Sequence, residues 1–389
     1  MHVQILGTRG IPANHGGFET FAEDFSLYLA DQGHIVTVYC QVDDGKFRED
    51  NWNGIHRILI PVQRGARGTI SFDCQSVWHS AKRPGIVLTL GYNTAMLSLL
   101  YRLRGRRSVM NMDGIEWKRQ KWSRAQRAWL WLNERCGAAF ANHLVADHPK
   151  IAEHLQRHTS ASKITTIPYG ADTLLDIDPS PLSRYGLAGK DYYLLIARVE
   201  PENSTLEIVQ AYSRRHRQFP LVILGTFHET NPYHCSVKRS ARGDVRFVGA
   251  IYEKTIVRAL RYYARAYVHG HQVGGTNPSL VEALAAGNAV IAHDNHFNRW
   301  VAGPDATFFR DKDEAAKIFD SVENDASFLV AMEAASRERH TDLFTQQYVL
   351  PAYEQLLQQV EGSHRVAVPY LKSRYSDATT PTNQTARAE

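Results

Sequence analysis

The sequence predicts an α/β fold with two domains, each built on a parallel sheet. Short apolar segments alternate with helical segments along both halves of the chain, which is the pattern of strands joined by helices. Residues 173–190 interrupt this alternation with Pro179, Pro181, Gly186 and Gly189 among polar residues, a composition typical of a linker. A length of 389 residues is enough for two cores of ordinary size.

Composition favours a globular protein with phosphorylated ligands. Hydrophobic residues make up 43% and charged residues 22% of the chain, and the net charge of +5 suits phosphorylated ligands or an anionic membrane surface, although many enzymes have a similar excess. Four cysteines stand far apart without metal-type spacing, so we expect a reduced, cytoplasmic protein without structural zinc. The sequence has no evident signal peptide or apolar run of membrane-spanning length, so any membrane contact is expected at the inner surface of the plasma membrane.

The first half, residues 1–172, reads as a Rossmann-like domain. Strands are predicted at residues 2–6, 35–40, 54–61, 86–90, 108–112, 144–146 and 163–168, helices at 18–32 and 148–158, and a polar turn at 43–53. The first strand leads through Gly16-Gly17 into a helix that begins Phe18-Glu19. These glycines allow a ligand to approach the backbone closely, although a long surface loop is the alternative. The spacing is not that of the compact dinucleotide fingerprint, so NAD binding is unsupported.

Polar residues follow two buried strands of this half. Asn93 comes after one strand, and Asp113 and Glu116 come after the next. Tips of parallel strands face the ligand crevice of open α/β sheets. The two carboxylates are therefore candidates to hold acceptor hydroxyls or to act as a base, with a capping aspartate and a solvated glutamate as the alternative.

Residues 117–131 concentrate cations and tryptophans. Five cations and four tryptophans, beginning with Trp117, share fifteen residues. Such a helix suits a membrane interface or stacking on the acceptor, and equally a helix with its tryptophans in the core. No RNP motif or other nucleic-acid module accompanies this basic stretch, so nucleic acid is not expected as a partner.

The second half repeats the alternation. Strands are predicted at residues 192–197, 221–224, 245–248, 267–269 and 289–292, a helix at 205–219, and further helix over 325–362 with Pro351 starting the last segment. Arg198 follows the first of these strands, where a guanidinium can bind a diphosphate through two hydrogen bonds, although a lone arginine there is often structural. Asn203 and Gly225 follow the first and second strands and are assigned to the same donor site.

The most informative segment is residues 269–287, which reads as a strand end, a glycine turn and a helix. Asn277 is a good N-cap and Pro278 fits the first helical position. A helix start behind two glycines favours anions, so Gly275, Thr276, Asn277, Pro278 and Ser279 are donor-site candidates. Glu282 lies one turn further, where its carboxylate can accept hydrogen bonds from a ribose hydroxyl. An ordinary capped helix is the alternative.

This segment resembles the donor-binding segment of retaining GT-B glycosyltransferases of family 4. With Gly-Gly-Thr-Asn-Pro-Ser and Glu-Ala it is similar to the bacterial rhamnosyltransferase-type branch, whose N-terminal domain is of the DUF1972 type. Arg198-x-x-Pro-Glu-Asn and the N-terminal glycine loop add to the resemblance, which covers roughly residues 1 to 360. Glu282 matches the second family glutamate, whereas Gly274 occupies the place of the first and His271 is the nearest substitute. Asn203 replaces a family lysine that binds the diphosphate.

The resemblance implies two Rossmann-like domains facing across a cleft. Residues 1–172 would hold the acceptor, although Gly16 and Gly17 of this domain are assigned to the donor. Residues 191–345 would hold the nucleotide-sugar, residues 346–362 would return to the first domain, and 363–389 would be a flexible tail. Arg198, His271 and Asp113 are the catalytic candidates, and Phe18, Glu19, Asn93, Asp113, Glu116 and Trp117 the acceptor candidates.

The implied reaction is retaining transfer of a sugar, with dTDP-rhamnose as the expected donor and UDP- or GDP-sugars as alternatives. The expected acceptor is a saccharide or polyprenyl-diphosphate-saccharide of cell-surface polysaccharide synthesis, and neither a metal nor another cofactor is expected. Two rival functions are a sugar-nucleotide epimerase of the same fold and a non-catalytic nucleotide-sugar-binding protein.

Overall fold

The computed structural model describes residues 1–13, 16–43, 45–63, 65–119 and 121–362. The flexible tail expected at residues 363–389 lies outside the described residues. Within them, the chain forms two mainly parallel sheets, one in each half, which confirms the α/β class with two parallel-sheet domains.

The first sheet has the strand order β3-β4-β2-β1-β5-β6-β7-β8. Its strands are β1 (His2–Leu6), β2 (Ile35–Val42), β3 (Arg48–Trp52), β4 (Ile55–Pro61), β5 (Ile86–Leu90), β6 (Ser108–Asn111), β7 (His143–Ala146) and β8 (Ile164–Thr166). All neighbours are parallel except β3 and β4. The helices of this half are α1 (Gly17–Asp31), α2 (Ala66–Ser80), α3 (Leu99–Leu103), α4 (Arg124–Phe140) and α5 (Pro149–Leu155).

The prediction of a polar turn over 43–53 is wrong for residues 48–52, which form β3. This strand lies at the sheet edge, has no buried residue and pairs antiparallel with β4. Asn53 and Gly54 both have positive φ at the reversal, as a two-residue hairpin turn requires. An edge strand needs no apolar face, so hydrophobic periodicity could not reveal it.

The second sheet has the order β11-β10-β9-β12-β13-β14 and is parallel throughout. Its strands are β9 (Tyr193–Ile196), β10 (Leu221–Leu224), β11 (Val245–Gly249), β12 (Ala266–His269), β13 (Val290–His293) and β14 (Thr307–Phe309). Its helices are α6 (Thr205–Tyr212), α7 (Pro232–Ser240), α8 (Lys254–Tyr262), α9 (Pro278–Ala285), α10 (His296–Ala302), α11 (Lys312–Asn324) and α12 (Ala326–Leu343), followed by α13 (Gln346–Glu361).

The last helix lies on the first sheet rather than the second. Val349, Tyr353 and Leu356 of α13 are buried in the same apolar cluster as Phe21 and Phe25 of α1. The helix begins at Gln346, so the prediction that Pro351 starts it is wrong, and Pro351 lies inside the helix. The helical break falls instead at residues 344–345, where the amide of Ala171 donates to the carbonyl of Phe344 and the two segments form a short parallel bridge.

Candidate functional site

Loops that follow strands of both sheets meet along one border. Gly114 follows β6, and a methyl group added to it would lie 3.3 Å from Cα of Gly274 in the loop between β12 and α9. A methyl group on Gly17 would lie 3.0 Å from Cγ of Pro278, the first residue of α9. The glycine loop, the tip of β6 and the start of α9 are therefore in contact, and a side chain at either glycine would require its neighbour to move by a few tenths of an ångström.

Helix α9 begins as its sequence predicts. The side chain of Asn277 accepts a hydrogen bond from the amide of Ser279 at 3.0 Å, and Pro278 takes the first helical position. The amides of Leu280 and Val281 both donate to the carbonyl of Asn277. The first-turn amides thus all have protein acceptors, which differs from the expectation that they are open to an anion.

Asp147, which follows β7 in the first half, binds the loop before α9. Its carboxylate accepts from the amide of Thr276 at 2.9 Å, and its carbonyl accepts from the Thr276 hydroxyl. Gly275 lies directly against the same carboxylate. Burial, together with the nearby charge of Asp113, raises the pKa of Asp147 to about 8, and its Oδ1 atom has no hydrogen-bond partner among the described residues. Among the described residues, the amides of Gly274 and Gly275 remain without an acceptor.

The far side of α9 carries Glu282 and Ser279. The Glu282 carboxylate forms an ion pair of 2.5 Å with Arg261 and keeps 41% of its side chain exposed. The Ser279 hydroxyl contacts Arg261 at 2.9 Å and the Tyr267 hydroxyl at 2.7 Å. Arg261 therefore fixes the orientation of Glu282 while leaving part of the carboxylate accessible.

The tip of β9 presents Arg198 but not Asn203. Arg198 is exposed and forms no ion pair within the described part of the chain. Asn203 is 2% exposed, and its amide donates to the carbonyl of Arg198 at 2.8 Å. Asn203 therefore shapes the Arg198 turn rather than offering a hydrogen bond to a ligand, which corrects its donor assignment.

Gly225, which follows β10, is likewise buried, and a methyl group there would lie 2.6 Å from the carbonyl oxygen of Ala197. Its role is close backbone packing.

His271 is neutral at physiological pH. Its ring stacks on that of His269, with centroids 4.4 Å apart and an interplanar angle of 11°. Burial and the nearby charges of Arg198 and Arg119 lower the pKa of His271 to about 4. Its Nδ1 atom is buried and has no partner among the described residues, so this nitrogen has an unused hydrogen-bonding capacity.

The glycine loop of the first half is fixed by its own helix. Glu19 accepts from the amide of Arg9 at 3.1 Å and lies beside Gly16. Phe18 faces Tyr169, with ring centroids 6.1 Å apart. Residues 14 and 15 of this loop lie outside the described residues. Glu19 therefore stabilises the loop, while Phe18 lines the cavity described next.

A small cavity lies at the ends of β1 and β5 and beside the loop after β6. Asn93, Asp113 and Glu116, three of the residues predicted to bind the acceptor, all line this cavity. The lining residues are Gly7, Phe18, Leu90, Gly91, Tyr92, Asn93, Asp113 and Glu116. Burial and the charge of Glu116 raise the pKa of Asp113 to about 6. Two carboxylates, one of them a poised acid or base, therefore share a cavity with an amide and an aromatic ring.

The turn at Asp113 is held from the opposite side by α13. Asp113 has a φ of 49°, an uncommon value for a residue with a side chain. Its amide donates to Oδ1 of Asn111 at 2.9 Å, and the amide group of Asn111 donates to the Tyr353 hydroxyl at 2.7 Å. The final helix thus supports the backbone conformation that aims Asp113 at the cavity.

Trp117 lies away from the cavity, which corrects its acceptor assignment. Its indole nitrogen donates to Glu134 at 2.9 Å, and its ring packs with the apolar residues beneath α4. Glu134, His154 and His158 place three ligand-type atoms within 4.8 Å of one another, the one such group among the described residues. Both oxygens of Glu134 already bind Trp117 and His154, so we interpret the group as a buried hydrogen-bond network.

The segment 117–131 divides between core and surface. Trp122 is half-buried, and its indole nitrogen donates to Glu116 at 3.3 Å. Trp129 and Trp131 on α4 are 39% and 41% exposed, and the Arg135 guanidinium lies 4.5 Å from the Trp131 ring centre. None of the described helices has the length and apolar character needed to cross a bilayer.

Two parallel-sheet domains joined through their strand-end loops define the GT-B class. The structure is similar to that of sucrose-phosphate synthase from Thermosynechococcus elongatus, with a TM-score of 0.76 and 17% identity over 93% of this chain and 100% of that chain. It is also similar to HepE from Anabaena in complex with UDP-glucose, with a TM-score of 0.71 and 14% identity over 93% of this chain and 99% of that chain. A third similar structure is that of a UDP-forming trehalose-phosphate synthase from Burkholderia xenovorans, with a TM-score of 0.69 and 11% identity over 92% of this chain and 99% of that chain. At these identities the likeness shows the fold.

The sequence matches two family models in succession. Residues 1–172 match DUF1972, a domain of unknown function, and residues 184–339 match glycosyl transferases group 1. No curated protein sequence is a match. The chain therefore consists of a DUF1972 domain followed by a group 1 glycosyl transferase domain in a GT-B fold, which supports sugar transfer as its activity.

Two residues of the site, Asp147 and Arg119, are not predicted from the sequence. Asp147 lies between a predicted strand and a predicted helix, and Arg119 is one of five cations in residues 117–131. Arg119 forms ion pairs with Glu116 and with Glu202 of the other half. The position of Asp147 at a strand tip, like those of Asn93 and Asp113, was the available signal.

Proposed function

We propose that this protein transfers a sugar from a nucleoside diphosphate sugar to a saccharide hydroxyl at the border between its two sheets. The observation that carries the proposal is the contact between Gly114 and Gly274, because it joins the carboxylate-lined cavity to the loop before α9. A donor at that loop and an acceptor in that cavity would have their reacting atoms adjacent, as group transfer requires.

The diphosphate would bind to Arg198 and to the free amides of Gly274 and Gly275. Arg198 is exposed, and consecutive unpaired amides form the kind of concavity that binds anions. This placement replaces the first-turn amides of α9, which have protein acceptors. The ribose would be held by Glu282, whose carboxylate is oriented by Arg261 and still partly exposed.

The chemical step proposed is retaining, in line with the family 4 resemblance. The acceptor oxygen bonds to the anomeric carbon on the face from which the diphosphate departs. The carbon–oxygen bond to the diphosphate breaks, and the acceptor proton passes to the departing phosphate oxygen. Arg198 and the loop amides stabilise the charge that develops there, which is the largest contribution a protein makes to such a step.

His271 and Asp113 would orient the sugars rather than form a covalent intermediate. A neutral His271, with its pKa near 4, can exchange a hydrogen bond with the transferred sugar in place of the glutamate absent at Gly274. Asp113 and Glu116 can accept hydrogen bonds from acceptor hydroxyls. The proposal requires no metal ion, because Arg198 and the amides supply the positive charge. Equal turnover with and without a chelator is the expected result.

The donor proposed is dTDP-rhamnose and the acceptor a lipid-linked saccharide, both from the resemblance to the rhamnosyltransferase-type branch. HepE, with a similar fold, was solved with UDP-glucose, so UDP-sugars belong in the same comparison. The exposed tryptophans and arginine of α4 would contact an anionic membrane surface that carries such an acceptor. Co-sedimentation with vesicles containing anionic phospholipid, lost in Trp131→Ser, tests this contact. Equal sedimentation of both proteins would exclude it.

The central experiment compares donors and then variants. Thermal shift with dTDP-, UDP- and GDP-sugars identifies the nucleotide, and turnover is then measured with and without a saccharide acceptor. We expect product only with acceptor, whereas conversion of the donor alone would indicate an epimerase, and binding without any turnover a non-catalytic protein. Arg198→Gln should lower turnover, and Glu282→Gln should weaken donor binding. Wild-type behaviour of both variants would refute the proposed site.

A further inference from the structure

We propose that Arg119, a residue of the DUF1972 domain, reaches across to the donor site and supplies the second cation for the diphosphate. The inference rests on the proposed function, because it concerns how that same site holds its donor. It arises from the juxtaposition of Arg119 with Glu202, which lies in the same loop as Arg198.

The donor loop of the second half lacks a second cation of its own. Asn203 is buried, and its amide is used by the carbonyl of Arg198. A diphosphate carries more negative charge than one exposed arginine neutralises. The positive charge that completes the site must therefore come from another element in contact with this loop.

Arg119 is the cation in that position. Its guanidinium donates to Glu116 at 2.6 Å and also pairs with Glu202 through two of its nitrogens. Lys121 lies 3.9 Å from the other oxygen of Glu116. Arg119, Lys121 and Arg198 thus bring three cations from both halves together with Glu116, Glu202 and the nearby Asp113. An anion that displaces Glu202 would therefore interact with the positive charge that this carboxylate now balances.

The chemistry of the Arg119–Glu202 ion pair explains how a phosphate group can replace Glu202 as the partner of Arg119. Phosphate and carboxylate groups accept the same paired hydrogen bonds from a guanidinium. Glu202 therefore occupies Arg119 in the ligand-free protein, and a phosphate group can take its place. Arg119 suits this exchange better than Lys121, because it is only 15% exposed, already spans the two halves and presents a planar fork.

Isothermal titration of the full-length protein with UDP and UMP, and with dTDP and dTMP, tests the inference. The ratio of the two affinities for one nucleoside isolates the terminal phosphate. Arg119→Gln should reduce the affinity for the diphosphate by about tenfold or more, as expected for a hydrogen bond between charged groups, and leave that for the monophosphate within about twofold. The matched control is Lys118→Gln, an exposed neighbour whose removal should change neither affinity.

A second variant separates binding from structure. Glu202→Gln removes the carboxylate that competes for Arg119, so it should tighten diphosphate binding, whereas a merely structural bridge would make Glu202→Gln and Arg119→Gln weaken binding alike. Weakening by Glu202→Gln, or an unchanged ratio in Arg119→Gln, would overturn the inference. If Arg198→Gln still lowers the ratio in that case, the proposed donor site stands. If neither arginine variant lowers the ratio, the donor site fails as well.

Discussion

Replacing Asp147 by asparagine should stabilise the protein relative to the wild type, by an amount that increases as pH rises. Asparagine retains an oxygen that accepts from the Thr276 amide, the contact made at 2.9 Å by the aspartate. It removes a carboxylate whose pKa burial raises from 3.8 to about 8. The variant therefore preserves the link between the two halves and eliminates a buried ionisable group.

The sign and size follow from the raised pKa. Between about pH 4 and pH 8 the folded protein keeps a proton on Asp147 that the unfolded chain has released. The free energy of unfolding of the wild type therefore falls with increasing pH, by at most about 1.4 kcal/mol per pH unit from this group. Asp147→Asn lacks this contribution, so its advantage over the wild type should grow across the same range and level off above the folded pKa.

Urea unfolding at half-unit steps from pH 5 to pH 9 measures this difference. Glu153→Gln, on the exposed surface of α5, is the control and should run parallel to the wild type. A difference between Asp147→Asn and wild type that stays constant with pH would show that the carboxylate is not held protonated, and the assigned burial of its charge would be wrong.

Two further predictions concern packing that supports the site. Gly17→Ala places a methyl group 3.0 Å from Cγ of Pro278, so Pro278 at the start of α9 must move by a few tenths of an ångström and KM for the donor should rise several-fold, while Gly243→Ala, in open space, should not change it. Unchanged donor kinetics in Gly17→Ala would mean that this contact does not constrain the donor site. Tyr353→Phe leaves the Asn111 amide group buried without its acceptor, which should cost about 1–3 kcal/mol of unfolding free energy and raise KM for the acceptor. Wild-type stability and acceptor KM in this variant would contradict the supporting role.

Local chemistry made the start of α9 predictable. An asparagine side chain before a proline can accept a hydrogen bond from a free amide of the first helical turn. The cap between Asn277 and Ser279 forms as expected. The strands of both sheets were recognisable for a similar reason, since buried parallel strands are short apolar runs. In each case the signal lies within a few residues of the feature it predicts.

Contacts between distant segments left no such signal. Asp147 and Thr276 are far apart in the chain, and nothing near either residue indicates that they meet. Asn203 could be assigned to the ligand because its polarity is visible in sequence, whereas its burial depends on how the chain folds around it. Pro351 suggested a helix start, yet the break lies where residue 171 pairs with residues 344 and 345 from a distant part of the chain.

The position of α13 also affects how the protein is made. Glu354 of this helix binds the Tyr28 hydroxyl and His34, each at 2.7 Å, so one of the last described elements completes a layer begun near the first residue. During translation the amino-terminal lobe must wait for almost the whole polypeptide to leave the ribosome before its apolar face is covered. A fragment ending at residue 172 would expose that face and should aggregate, unless a peptide corresponding to residues 346–362 is supplied in trans.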